Sequence, residues 1–303
     1  MRLGLGAAQF GLDYGVTNLA GRPGNDEVAA IIDEARREGV TLIDTAAGYG
    51  DSERTLGSLI QDEDQFGIVT KIPDWKGTPP SAAGEAINDA FERSLAHLHR
   101  RNVDALLVHN ADDLLSECGE EIWSTMVRLR DSGRARRIGV SVYTSEQIDQ
   151  VLAEMRPDVV QLPLSVLDQR LDRSGHLHKL RAAGTEVHAR SVFLQGVLLA
   201  PAQTLPERLS RLRGAVARFQ EAARKADATP VEAALAYIQS TAIDVAIVGV
   251  TSVAEFSAVN AAMKACVATE LNWRAFAAED AASLDPRNWP AGVTTASTSD
   301  TAH

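Results

Sequence analysis

Cysteine is scarce: Cys118 and Cys266 are the only two in 303 residues, and no CxxC pair occurs. That excludes a disulfide framework and fits a reducing, cytoplasmic compartment. No apolar run approaches the ~18 residues of a membrane helix. The opening Met-Arg-Leu-Gly-Leu-Gly is too short and too broken by glycine for a signal peptide. Positive charge is in deficit, with a formal net charge of −11, so electrostatics give no case for a nucleic-acid partner. His97, His99, His176, His178 and His188 have no cysteine or carboxylate at metal-ligand spacing, and His176 and His178 would diverge on a helix, so no metal is expected. No composition shift or long linker divides the chain. Residues 1–290 therefore read as one domain, followed by a loose Thr/Ser/Ala-rich tail over 291–303.

What the chain does have is a regular alternation of short β-rich runs with longer helical patterns, which predicts βα units around a parallel sheet. Strands are expected at Arg2–Ala7, Val40–Asp44, Gly67–Lys71, Val103–His109, Arg137–Ser141, Val159–Gln161, Glu186–Arg190 and Val245–Gly249. Helices are expected near 26–38, 51–60, 81–99, 119–132, 145–154, 172–183, 207–226, 229–241 and 253–266. Ala105-Leu106-Leu107-Val108 and Ala246-Ile247-Val248 are apolar throughout, as strands buried on both faces are. Eight such units predict an α/β fold, a (β/α)8 TIM barrel, which routinely holds ~250 residues in one domain. The arginines of 207–226 read as a solvated helix face, and a further helix over Trp273–Ala282 would pack outside the barrel.

In barrels of this kind the chemistry gathers at the C-terminal strand ends. Those ends carry Asp44, Lys71, His109, Ser141, Gln161, Arg190 with Ser191, and Gly249. Asp44, Lys71 and His109 end three successive strands and so share one stretch of rim. Tyr49 stands in the loop after Asp44, freed by Gly48 and Gly50. Each residue alone has a plainer reading, as a turn cap, a surface lysine, a loop tyrosine or a satisfied strand-end histidine. Together they make a general acid. A free tyrosine has a pKa near ~10 and donates poorly at neutral pH. A buried lysine beside it lowers that value, an aspartate keeps the lysine charged, and a histidine can bond the oxygen being protonated. Trp75 stands four residues beyond the third strand and could wall a substrate pocket.

In order and spacing these runs resemble the aldo-keto reductase family over roughly residues 3 to 265. The resemblance is carried by Gly4-Leu5-Gly6 with Gln9-Phe10-Gly11, Ile43-Asp44-Thr45-Ala46 with Tyr49-Gly50 and Ser52-Glu53, Val69-Thr70-Lys71, and Leu107-Val108-His109. It continues through Ile138-Gly139-Val140-Ser141, Gln161-Leu162-Pro163, Ser191-Val192-Phe193-Leu194-Gln195-Gly196 and Ile247-Val248-Gly249. The run Gln9 to Gly15 resembles a bacterial branch associated with sugar or glycan metabolism. The resemblance implies a catalytic tetrad on Asp44, Tyr49, Lys71 and His109. It implies a nicotinamide dinucleotide bound without a Rossmann fold, and no GxGxxG follows a strand here. Cofactor contacts would fall on Gly6, Ser141, Gln161, Arg190, Ser191, Phe193, Gln195, Gly196, Gly249, Thr251, Ser252 and Glu255.

Four positions depart from the pattern of many relatives. Val142 replaces an asparagine, and Arg190 an aromatic that stacks on the nicotinamide; Arg190 could stack in its place or turn to a substrate anion. Gly249 and Glu255 replace the lysine and arginine that hold the 2′-phosphate of NADP. The implied cofactor is NADP(H), with NAD(H) the alternative these last two positions raise. The implied activity is reduction of an aldehyde or ketone, with a sugar derivative among the candidates, or the reverse oxidation, with Tyr49 as general acid or base. The partner expected is therefore a small carbonyl or alcohol, with neither nucleic acid nor membrane. The alternative is a redox-sensing, nicotinamide-binding partner subunit with little turnover.

Overall fold

The computed structural model describes residues 1–61, 65–74, 79–265, 271–278 and 280–289. The expected tail over 291–303, Trp75 and Cys266 lie outside the described residues. The strands are β1 (Arg2–Gly6), β2 (Leu42–Asp44), β3 (Gly67–Ile72), β4 (Val103–Val108), β5 (Ala135–Ser141), β6 (Val159–Pro163), β7 (Glu186–Arg190) and β8 (Val245–Gly249). All pairings are parallel, each strand lies beside the next, and β1 closes on β8. This is the expected (β/α)8 barrel. Among the described residues no helix is long and apolar enough to cross a membrane.

The helices are α1 (Asn25–Arg37), α2 (Ser52–Leu59), α3 (Pro80–Leu98), α4 (Ala111–Leu114), α5 (Gly119–Asp131), α6 (Ser145–Glu154), α7 (Arg170–Arg173), α8 (His176–Ala182), α9 (Ser210–Lys225), α10 (Pro230–Gln239), α11 (Val253–Ala265) and α12 (Ala281–Leu284). In α1 the buried residues are Val28, Ile31, Ile32 and Ala35, the spacing of one helical face. Truncating Ile31 to alanine there would cost about 2–5 kcal/mol. Helices α6 and α10 start with capping boxes, Thr144 with Gln147 and Thr229 with Glu232.

The barrel interior explains why the strand ends matter. Leu42, Val69, Ala105, Leu107, Val159, Val245 and Ile247 form a separate buried cluster inside the strands. Side chains alternate across a strand with period two. Two residues beyond those inward positions come Asp44, Lys71, His109, Gln161 and Gly249. On four of these strands the inward-facing sequence thus turns from apolar to polar at the C-terminal end, and on the fifth it ends in glycine.

Four expectations needed correction. Residues 172–183 are two helices, because Gly175 takes a left-handed φ of 80° between α7 and α8. The stretch near 207 begins with a 3₁₀ turn at Glu207–Leu209 before α9. No single helix covers Trp273–Ala282. Trp273–Phe276 is a 3₁₀ turn whose rings pack on Tyr237 and Phe219, and Asp280 caps a separate turn at α12. Finally, α4 was not expected; Asn110 caps it by accepting from Asp112 N.

Candidate active site

Strands β2 and β3 deliver a buried ion pair. Lys71 Nζ donates to both Asp44 oxygens at 2.8 Å and to Thr45 O at 2.9 Å. Lys71 is 1% exposed and Asp44 4%, so the pair is out of water. Gln161 Nε2, from β6, donates to Asp44 Oδ1 at 2.8 Å. Its own Oε1 is buried without a partner among the described residues. A buried orphan acceptor costs free energy until something donates to it.

The Tyr49 loop is fixed at both ends. Ser52 Oγ donates to Ala7 O at 2.8 Å and lies 2.9 Å from Thr45 Oγ1. Glu53 accepts from Thr70 Oγ1 at 2.6 Å, tying α2 to β3. Gly11 lets the loop come close, since a Cβ there would lie 1.9 Å from Tyr49 O. Held this way, the Tyr49 ring meets His109 edge to face, with centroids 5.7 Å apart. Lys71 Nζ stands 5.0 Å from the Tyr49 centroid. The four expected tetrad residues therefore converge on one patch of rim.

The electrostatics differ from the expectation in one respect. Burial raises the Tyr49 phenol above its ordinary value, and Asp44 adds to the rise, while Arg190 pulls the other way. The Lys71 ammonium, locked onto Asp44 and 5.0 Å from the ring centre, does not reverse that rise. The Lys71 pKa is itself lowered by burial, against the opposing pull of Asp44. Burial and then the Lys71 charge lower His109 to about 4, so it is neutral at pH 7.

A cleft of about 690 Å³ runs from this patch along the rim. That size suits a cofactor or drug-sized ligand. Its wall includes Asp44, Tyr49 and Arg190, with Gly6, Ser191, Phe193, Gln195 and Gly196, and with Gly249, Thr251 and Glu255. Lys71, His109, Ser141, Gln161 and Ser252 are not part of its wall. In the loop after β7, Ser191, Leu194 and Gln195 have φ of 58°, 49° and 55°. Three non-glycine residues in left-handed geometry within five positions store strain, of a kind that gathers at functional sites.

Several residues at the cleft were not singled out from sequence. Tyr14 and Thr17, in the loop after β1, line the cleft and bond the loop after β7: Gln195 Nε2 donates to Tyr14 Oη at 3.1 Å and Thr17 Oγ1 to Gln195 O at 3.3 Å. Gln9 fills the space that Gly249 leaves, and a Cβ at 249 would lie 2.2 Å from Gln9 Oε1. Beyond β8, Glu27, from α1, accepts from Val253 N at 2.8 Å. Glu255 accepts from Thr251 N at 2.7 Å and from Thr251 Oγ1 at 3.0 Å. Two carboxylates thus already hold amides at the start of α11. Near the tetrad, the Arg190 and Arg287 guanidiniums lie 4.1 and 3.5 Å from the centroid of the Tyr143 ring. No local sequence signal announces Glu27 or Arg287, which reach the site from α1 and from beyond α12.

Away from the site three histidines have a single carboxylate neighbour each: His188 with Glu186 at 2.9 Å, His176 with Asp149 at 3.0 Å and His97 with Glu53 at 3.6 Å. Among the described residues no group of three or more His, Cys, Asp or Glu could hold a metal ion.

Comparison with known proteins gives the following. The model of the Aldo/keto reductase family matches residues 2–278. Aldo-keto reductase YhdN of Bacillus subtilis is 33% identical over 181 residues, covering 56% of this chain and 54% of that protein. D-galacturonate reductase of Fragaria ananassa is 31% identical over 162 residues, covering 45% and 49%. The matched stretch thus spans about half the length of each of these two relatives. Among solved structures, aldo-keto reductase AKR11C1 from Bacillus halodurans superposes with a TM-score of 0.72 at 20% identity, covering 91% of this chain and 92% of that one. At that identity the likeness concerns the fold.

Proposed function

The chain belongs to the aldo/keto reductase family, and from that premise we propose that it is an oxidoreductase reducing an aldehyde or ketone to an alcohol, or catalysing the reverse, with a nicotinamide dinucleotide. The observation that carries this is the Asp44–Lys71 pair buried beside Tyr49 at the head of the cleft. A sensing subunit has no need of such an acid, so turnover is the better reading.

A bound dinucleotide would supply or accept the hydride; the proton is the protein's task. Tyr49, its hydroxyl facing the cleft, donates to the carbonyl oxygen. His109, neutral, can donate a second hydrogen bond to that oxygen as negative charge develops. Lys71 offsets the phenolate that remains, and Asp44 keeps Lys71 in place. The residues suit a dinucleotide. Gln161 Oε1 offers a buried acceptor to a carboxamide N–H, and the strained loop after β7 offers backbone donors in the cleft wall.

The stretch after β8 favours NAD(H) over the NADP(H) implied by the resemblance. Glu27 and Glu255 occupy amides that a 2′-phosphate would seek, and their carboxylates repel it. Ribose hydroxyls would donate to them. A sugar or sugar-derived substrate accords with the printed name of the Fragaria relative. The test is fluorescence titration with both reduced dinucleotides, followed by loss of their absorbance with a panel of aldehydes. Binding of neither dinucleotide, or binding without turnover of any aldehyde, overturns the proposal.

A further inference from the structure

Among the described residues Arg190 has no carboxylate at ion-pair distance; its charge reaches Asp285 only at longer range. Its one hydrogen bond among them runs from Nη2 to Val142 O at 3.3 Å. A guanidinium carries five N–H donors. The carboxylates nearby are committed elsewhere. Asp44 holds Lys71 and Gln161. Asp285 is clamped by Arg287, with contacts of 2.7 and 3.1 Å. Asp112 accepts from Gln147 at 2.6 Å.

The guanidinium is also held in place. It stacks on Tyr143, and Arg287 stacks on the same ring at 3.5 Å. Two planar cations cannot share one face at those distances, so each covers one side of Tyr143. The stack fixes the plane of Arg190 and leaves its N–H edge for a ligand. Arg190 lines the cleft together with Asp44 and Tyr49, so that edge belongs to the reacting end. Holding an unpaired cation in a partly buried cleft is costly unless a ligand completes it.

We infer that Arg190 reads an oxyanion on the substrate: the carbonyl compound this site takes carries a carboxylate or a phosphate ester. The inference rests on the proposed carbonyl reduction and adds the substrate class. A planar fork of this kind matches either oxyanion with two parallel hydrogen bonds. A residue that serves instead as a shelf for the nicotinamide would act alike on every substrate, charged or neutral.

The test uses 4-carboxybenzaldehyde, its methyl ester and 4-formylphenyl phosphate, with the full-length wild type, Arg190→Met and Arg190→Lys. The wild type should prefer a charged aldehyde over the ester in kcat/KM by about ten- to a hundredfold, chiefly through KM. In Arg190→Met that ratio should fall to near one, and Arg190→Lys should restore part of it. The carboxylate and phosphate arms tell which oxyanion is preferred. Thermal stabilisation by the unreactive diacid terephthalate, lost in Arg190→Met, gives a second reading that needs no turnover. Equal use of ester and charged aldehydes by the wild type overturns the inference while leaving carbonyl reduction standing. A ratio that survives Arg190→Met, or a variant weakened equally toward all three, also overturns it. If none of the three is reduced, it is the oxidoreductase reading that fails.

Discussion

Lys71 Nζ lies 5.0 Å from the centre of the Tyr49 ring, beside its face and not at its hydroxyl. Its three donors are fully used by the two Asp44 oxygens and Thr45 O. The phenol hydroxyl therefore has no partner among the described residues and is left to what the cleft binds. Lys71 acts on Tyr49 through its field, and the lysine's own position is set by Asp44.

The first expectation concerns stability. Removing one member of a buried pair strands the other charge and costs about 3–5 kcal/mol. Lys71→Met should therefore unfold at clearly lower denaturant concentration than wild type. The double variant Asp44→Asn/Lys71→Met should recover a large part of the loss. Additive losses in a chemical denaturation series would refute the coupling.

Tyr49→Phe should bind reduced dinucleotide nearly as wild type does and lose about 10²–10⁴-fold in turnover, the worth of a positioned general acid. Retention of full carbonyl-reducing activity would remove Tyr49 from the mechanism.

The pH dependence follows from the raised phenol. Reduction needs Tyr49 protonated, so its rate should hold through neutral pH and fall only above the ordinary tyrosine value of ~10. Oxidation needs the phenolate and should climb with pH over the same range. His109, lowered to about 4, should put no limb near 6.5 in either profile. A bell centred near 6.5 in steady-state assays would contradict this assignment.

Cofactor choice can be read by binding alone. Each charge-assisted contact to a phosphate is worth roughly 1.5–3 kcal/mol. Glu255→Arg should thus shift the NADPH to NADH affinity ratio toward NADPH by ten-fold or more. Glu27→Gln removes the negative charge beside Val253 N and should shift it the same way by less. No response to either substitution would show that the adenosine end binds elsewhere.

Glu186 gives an acid-stability test far from the cleft. The hydrogen bond from His188 and the charges of Arg137 and Arg2 hold its carboxyl down to about 2. A depressed carboxylate adds stability that is present above its unfolded value of ~4.3 and is lost as pH falls toward 2. Glu186→Gln should flatten the decline in thermal stability across that window. An unchanged slope would show that other carboxylates carry it.

Much of the barrel was legible because strand periodicity is local. Leu42 to Asp44, Val69 to Lys71 and Leu107 to His109 each step from an apolar to a polar inward position two residues on, and that step is written in the sequence. The split at Gly175 was also there to be read, in a glycine flanked by Ser174 and His176. What stayed hidden depends on contacts across the fold. Glu27 caps a helix 226 residues away. Arg287 reaches Tyr143 only because the turns at Trp273–Phe276 and α12 carry the chain back over the rim. The Tyr49 pKa was misjudged for the same reason: the sequence names Lys71 as a neighbour but not the direction of its donors.

The bonds that join Gln195 with Tyr14 and Thr17 bear on the order of events. They join the first and seventh loops beside the cleft a dinucleotide would occupy, and Arg190 takes no part in the join. With a dinucleotide beneath that join, its departure would require the join to break, whereas exchange of a substrate held at Arg190 would not. Residence time, not chemistry, is then expected to limit the steady-state cycle, as it does in many enzymes with closing loops. A pre-steady-state burst, steeper in the first turnover than in later ones, is the kinetic trace such a join leaves.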